Sequence, residues 1–88
     1  FTNTGRITAL EAHLWSNGGC STDLSPSILE RAMLHIDNAY YLPAAYITGN
    51  CCRTNLPSNT AFRGFGGPQG VAVIENIIQE IAIATGRD

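Results

Sequence analysis

A glycine-rich segment, residues 58–70, holds the most unusual chemistry of the chain. Five of the seven residues from Gly64 to Gly70 are glycine or proline, so the backbone there is open to close approach by another group. The residues that follow, 71–85, show a helical pattern of apolar side chains. Backbone N–H groups at a helix N-terminus are unpaired and lie at the positive end of the helix dipole. The segment therefore predicts a main-chain site for an anion or an oxo group.

The segment departs from three well-known motifs. A phosphate-binding P-loop ends in Gly-Lys-Ser/Thr, and the chain contains no lysine. The dinucleotide fingerprint GxGxxG fails at Gln69, which stands where the last glycine belongs. The nucleophile elbow of a hydrolase, GxSxG, does not occur. The structural alternative is a tight connection in which Phe62 and Phe65 simply pack into a core.

Two extended stretches are expected to support this segment. Residues 5–15 partly alternate between apolar and polar side chains and predict a strand, which the turn-forming residues 16–19 should end. His13 lies within that strand, where a packed or surface histidine is expected rather than a metal ligand. Residues 45–54 predict a second extended stretch, interrupted at residues 49–50 as a bulged strand or a hairpin.

Two helices complete the prediction. Ser25 can cap the first helix and Pro26 suits its first turn, and the apolar pattern continues to about Ala39. Pro68 opens the second helix and Gly86 is a natural C-terminal stop. The chain is therefore predicted to be an α+β fragment, strand–helix–strand–glycine-rich loop–helix, within one domain.

A polar stripe of Arg31, His35 and Asn38 follows the edge of the first helix's apolar face. Such a stripe is either a solvated flank or a functional surface. In the second case Arg31 reaches into a cleft, where its planar guanidinium suits a carbonyl or anionic group.

Composition narrows the classes of function. The 88 residues are enough for one small domain, and we expect them to be part of a larger protein. The net charge is −2 and the five cations are scattered arginines, which argues against nucleic-acid binding. No apolar run approaches the length of a membrane span. Cys20, Cys51 and Cys52 lack metal-site spacing and are expected to be buried thiols of a cytoplasmic protein.

Four blocks of sequence resemble one family. The run SNTAFRGFGGPQG at residues 58–70 resembles the molybdenum-cofactor domain of the xanthine dehydrogenase and xanthine oxidase family. Residues 29–40 and 53–57 agree with the same family at matching spacing, and so do residues 15–25. The resemblance spans nearly the whole chain and implies a fragment of the molybdopterin-binding portion.

The resemblance implies an oxidoreductase of purine catabolism. In that family a molybdenum ion held by a pterin dithiolene hydroxylates an electron-poor carbon with help from a glutamate base. Electrons then leave through 2Fe–2S clusters and FAD to NAD or oxygen. The implied parent is a cytoplasmic, homo-oligomeric enzyme that converts hypoxanthine and xanthine to urate.

The resemblance also implies roles for individual residues. Arg31 resembles the arginine that hydrogen-bonds a purine carbonyl and stabilises negative charge during attack, and Phe65 resembles the aromatic residue that contacts the flat substrate. Arg63 resembles the residue whose backbone donates to a molybdenum ligand, in a cofactor-binding loop with Phe62 and Gly64. Gln69 is expected to act only indirectly, behind these residues.

Other parts of the family's machinery do not occur in this sequence. The catalytic glutamate, the iron–sulfur ligands and the flavin site are missing, so we expect the isolated chain to be inactive. Two alternatives remain open. One is a molybdenum hydroxylase for aldehydes or another N-heterocycle, although Arg31 argues against aldehydes; the other is a non-catalytic anion-binding or structural module.

Overall fold

The computed structural model describes all 88 residues, from Phe1 to Asp88. The elements are β1 (Leu10–Gly19), α1 (Ser25–Leu34), β2 (Ala45–Arg53) and α2 (Gly67–Thr85). The predicted mixed fold and element order are confirmed. No helix combines the length and the apolar character that crossing a membrane requires.

The two strands pair in parallel, with Leu10 opposite Ala45 and Gly19 opposite Arg53. Parallel strands need a crossover, and α1 supplies it. Because side chains alternate along a strand, Leu10 and Ala12 point to the helices while Trp15 on the other face stays exposed. The sheet is therefore covered on one face only.

The core lies between the inner face of the sheet and the two helices. Its buried cluster consists of Leu10, Ala12, Ile36 and Ile74. Ile36 and Ile74 are essentially inaccessible to solvent, at 1% and 0% exposure. This small core packs α2 and the turn after α1 against the sheet.

The predicted bounds of both strands are wrong, and residues 5–9 lie outside the first strand, which begins at Leu10. The first strand runs from Leu10 through residues 16–19, because pairing with β2 continues past the expected stop and only shifts register between Asn17 and Gly19. The second strand is unbroken at Gly49, and its parallel pairing excludes the hairpin. Gly49 serves packing instead, since a Cβ there would lie 2.5 Å from Met33 Sδ.

The predicted bounds of the first helix are also wrong. Leu24 is the N-cap, and the Ser25 hydroxyl does not cap the helix. The helix ends at Leu34 rather than near Ala39, because residues 35–40 turn and Asn38 takes a left-handed φ of 47°. The second helix was predicted correctly, with Gly86 as its left-handed C-cap at φ 65°.

Candidate functional site

The loop before α2 contains three consecutive residues with left-handed backbone, namely Gly64 at φ 95°, Phe65 at 51° and Gly66 at 94°. Two hydrogen bonds close the turn, from Phe65 N to Phe62 O and from Gly67 N to Gly64 O, each 3.0 Å long. A left-handed phenylalanine is unusual and costs roughly 1 kcal/mol or more. The surrounding structure must therefore hold Phe65 in place.

Residues 64–70, called the exit arm here, are held by close backbone packing. A Cβ on Gly66 would lie 2.9 Å from the Ile28 carbonyl carbon and still closer to its oxygen. A Cβ on Gly70 would meet the Ala32 carbonyl in the same way, 3.0 Å from its carbon. Both positions therefore admit only glycine at this distance between the helices.

This packing brings Arg31 and Phe65 together. They line one open groove of about 390 Å³ with Ser27, Glu30, Leu34 and His35. A Cβ on Gly67 would lie 3.9 Å from Arg31 Nε, so the guanidinium lies near the N-terminus of α2. The single contact between a basic and an acidic side chain joins His13 Nε2 to Glu11 Oε1, so Arg31 has no carboxylate partner. Its donors are available to a bound molecule.

The other side of the loop carries the three residues expected to contact a cofactor. Phe62, Arg63 and Gly64 are exposed, and their backbone N–H groups donate to no carbonyl of the chain. Phe62 is 62% exposed and lines a separate pocket of about 250 Å³, which includes Gln69. Neither Phe62 nor the half-buried Phe65 belongs to the core cluster, contrary to the structural alternative.

Residues 58–60, called the entry arm here, are held by hydrogen bonds. Ser58 Oγ accepts from Ser21 N at 3.2 Å, and its hydroxyl also contacts that of Ser21. Asn59 donates from N to Gly18 O at 3.1 Å and from Nδ2 to Asn17 O at 2.8 Å. These bonds fix the start of the loop on the end of β1.

Two further bonds tie the entry arm to the start of α1. The buried Ser25 hydroxyl donates to Asn59 O at 3.2 Å, and Thr60 Oγ1 donates to Asp23 Oδ1 at 3.0 Å. The loop is thus attached to the rest of the chain at both ends.

Comparison with known proteins decides the family. Residues 1–88 match the molybdopterin cofactor-binding domain. The chain is 62% identical to xanthine dehydrogenase 1 of Arabidopsis thaliana over 82 residues, which is 93% of the chain. It is 58% identical to the xanthine dehydrogenase/oxidase of Mus musculus over 86 residues, or 98% of the chain. It is also 53% identical to the xanthine dehydrogenase of Drosophila subobscura over 88 residues, which is the whole of this chain.

The chain belongs to the xanthine dehydrogenase family. It spans 6% of the length of each of these three relatives, and all of its residues fall within the molybdopterin cofactor-binding domain. The resemblance drawn from residues 58–70 is therefore confirmed. The predicted molybdopterin cofactor is confirmed with it.

The residues present fit the family's cofactor. No group of three or more His, Cys, Asp or Glu side chains could hold a metal ion, so this segment offers hydrogen bonds rather than side-chain metal ligands. The consecutive free N–H groups of Phe62, Arg63 and Gly64 suit the oxo and phosphate acceptors of a molybdopterin. When bound, the group would supply the redox centre, and the N–H groups of Phe62, Arg63 and Gly64 are the donors of this loop that would hold it.

One prediction about the thiols is wrong. Cys20 and Cys51 are exposed in this chain and Cys52 is half-buried, so none is a core thiol. All three line one pocket of about 270 Å³ beside Gly18. They lie there because β2 ends next to β1, and Cys52 is paired with Asn17.

Sequence reasoning also missed the residues that hold the entry arm. Ser25 was assigned to a helix cap, and Asn17 to a turn. Their bonds join residues about 40 positions apart, such as Asn17 and Asn59. The local pattern of apolar and polar residues does not predict hydrogen bonds between such distant positions. Only the polar side chains of Asn17 and Asn59 indicated that they could form one.

Proposed function

We propose that the full-length protein is a xanthine dehydrogenase-type hydroxylase that oxidises hypoxanthine and xanthine to urate. The observation that carries this proposal is the open groove that Arg31 and Phe65 line together. A flat, electron-poor heterocycle with carbonyl groups matches an aromatic surface and a free guanidinium. Each hydroxylation replaces a ring C–H by C–OH with an oxygen atom from water and releases two electrons and two protons.

Phe65 and Arg31 contact different parts of the purine. The phenyl ring of Phe65 packs against the face of the purine, a contact of about 1–3 kcal/mol by analogy with other base–aromatic stacking. The Arg31 guanidinium donates to a ring carbonyl. This donation strengthens as negative charge develops on the ring, so Arg31 stabilises the transition state more than the ground state.

Phe62, Arg63 and Gly64 are assigned to the cofactor side. The backbone N–H of Arg63 donates to an acceptor bound to the molybdenum, and the neighbouring N–H of Gly64 extends the same row of donors. The exposed ring of Phe62 packs beside the pterin. The support for these roles is the row of unpaired N–H groups next to a helix N-terminus.

The rest of the reaction is assigned to other parts of the protein. We propose a base outside this segment, 2Fe–2S clusters and FAD for electron transfer, and NAD or oxygen as the final acceptor. A cytoplasmic location and a homo-oligomeric state complete the proposal. The isolated segment is expected to turn over no substrate.

The test is the molybdenum content and the xanthine-to-urate activity of the purified full-length protein. Molybdenum near one atom per active site together with urate formation supports the proposal. Molybdenum with aldehyde oxidation and no urate transfers the assignment to an aldehyde hydroxylase. A folded, matured protein without molybdenum overturns the proposed function.

A further inference from the structure

We propose that the Ser25 hydroxyl is a positioning residue for the loop that faces the cofactor. This inference rests on the proposed function. Ser25 is the one buried polar side chain of the chain, at 3% exposure. Its Oγ lies 3.2 Å from Asn59 O and donates to it. A buried hydroxyl with a single partner has a structural or functional task, and capping is not that task.

Asn59 is the point through which Ser25 acts. The N–H and the side-chain amide of Asn59 are bonded to Gly18 O and Asn17 O, and its carbonyl is held by Ser25. Asn59 is thus held on both sides of its backbone. Phe62 follows only three residues later, and the N–H groups of residues 61–64 bond to no carbonyl of the chain. Asn59 therefore holds this row of donors from its N-terminal end, while the exit arm holds the other end through the bonds of Phe65 N to Phe62 O and of Gly67 N to Gly64 O.

The Ser25 contact also connects the loop proposed to hold the cofactor with the helix that carries Arg31. Ser25 is the first residue of α1, and the same helix carries Arg31. The hydroxyl consequently fixes the cofactor-side donors relative to the helix that presents Arg31. Phe65, by contrast, is held by the exit arm through Gly66 and Gly70. Loss of the Ser25 hydroxyl should disturb the cofactor side and leave the substrate groove in place.

The test compares Ser25→Ala with the wild type in the full-length, molybdenum-loaded protein. We expect molybdenum to be lost about three to ten times faster on dialysis, in line with the loss of one buried hydrogen bond. The Mo(V) electron paramagnetic resonance spectrum should change, and kcat per bound molybdenum should fall. The KM for xanthine should stay at the wild-type value.

Thr85→Val is the matched control. It removes a hydroxyl that donates to a backbone carbonyl, Ile81 O at 2.8 Å, at the far end of α2. We expect this variant to keep the wild-type rate of molybdenum loss and the wild-type spectrum. A similar acceleration in both variants means general destabilisation and overturns the positioning role.

A second variant covers the case in which Ser25→Ala does not fold. Thr60→Val removes the exposed bond to Asp23 from the same arm and should give the same changes to a smaller extent. Wild-type molybdenum retention in the variant that folds overturns the inference, as does a raised KM with unchanged retention. Absence of molybdenum from the wild type would overturn the proposed function itself, which is a separate result.

Discussion

The two ends of the glycine-rich loop are held by different forces. The entry arm is held by hydrogen bonds, five of which involve Ser58, Asn59 and Thr60 at 2.8–3.2 Å. The exit arm is held by steric fit, because Gly66 and Gly70 place backbone directly on the carbonyls of α1. The hydrogen bonds of the entry arm can be removed one at a time. A Cβ added at Gly66 or Gly70, in contrast, cannot be accommodated unless the helices move apart.

This difference assigns the two arms to different tasks. The exit arm places Phe65 in the same groove as Arg31, the side that we propose binds the substrate. The entry arm holds the N-terminal end of the segment with the free N–H groups of Phe62 and Arg63, the side that we propose faces the cofactor. Variants in one arm should therefore change one set of measurements and spare the other.

The largest effect is expected at Gly66. Gly66→Ala combines a left-handed backbone, φ 94°, with a collision against the Ile28 carbonyl. We expect the variant to lower the melting temperature of the full-length protein sharply, because α2 must move away from α1; overpacking of this kind typically costs 1–3 kcal/mol or more. Differential scanning calorimetry measures the change.

Gly86→Ala separates the two causes. Gly86 has a left-handed φ of 65°, but a Cβ there would meet nothing within 4 Å. We expect a loss of only about 1 kcal/mol, the usual strain of a non-glycine residue in this region. Equal destabilisation by the two variants would show that backbone strain, and not close packing, explains the glycine of the exit arm.

Arg31→Met tests the substrate side at constant geometry. We expect kcat/KM for xanthine to fall by about 10² to 10³, the usual effect of removing one donor that stabilises transition-state charge. Oxidation of a small aldehyde should be largely retained, since an aldehyde offers no ring carbonyl. Steady-state kinetics on both substrates, normalised to molybdenum, measures the split.

Arg53→Met is the control for charge. Arg53 is also an exposed arginine, at the end of β2 and outside the groove. The substitution Arg53→Met should leave the oxidation of xanthine and of the aldehyde unchanged. An equal loss on both substrates in Arg31→Met would indicate a folding defect and remove Arg31 from the proposed role.

Phe65→Ala and Phe62→Ala compare the two sides of the loop directly. Loss of the Phe65 ring should lower kcat/KM for xanthine by about 5- to 150-fold, which corresponds to 1–3 kcal/mol of stacking. Molybdenum content should not change. Phe62→Ala should show the opposite pattern, with faster molybdenum loss and an unchanged KM. Loss of molybdenum from Phe65→Ala contradicts this division.

The two arms also differ in how far sequence could predict them. The glycines of the exit arm are a local pattern, and α2 with its Gly86 stop was predicted correctly. The family followed from residues 58–70 by resemblance. The entry arm was not predicted, because the partners of Asn59 come from β1 and α1 and lie about 40 residues away. Hydrogen bonds over such distances leave no periodicity in a single sequence.

The same reason explains the wrong element bounds. Residues 16–19 look like a turn by composition, yet pairing with β2 keeps them in the strand. Asn38 looks like a helical surface residue, but it takes a left-handed φ and donates to Glu75 at 2.9 Å. In both cases a partner distant in sequence outweighed local propensity.

The smallest effect is expected from a contact outside both arms, where Glu75 of α2 holds the turn after α1. The Tyr40 hydroxyl lies 3.0 and 3.1 Å from the two Glu75 carboxylate oxygens. Its hydrogen bond to Glu75 raises the pKa of the Tyr40 phenol above its ordinary value of 10.0, with smaller contributions from desolvation and from the Glu75 charge. The folded protein therefore holds this proton more tightly than the unfolded chain does.

The sign of the pH dependence follows from that shift. The stabilising contribution of Tyr40 is fully present below pH 10 and is lost as the pH rises through the raised pKa of the folded state. In Glu75→Gln the carboxylate that raises the pKa is gone, so the melting temperature should fall less steeply above pH 10 than in the wild type. If the melting temperatures of the two proteins fall with the same slope from pH 9 upward, the contact between Tyr40 and Glu75 contributes nothing to the pH dependence of stability.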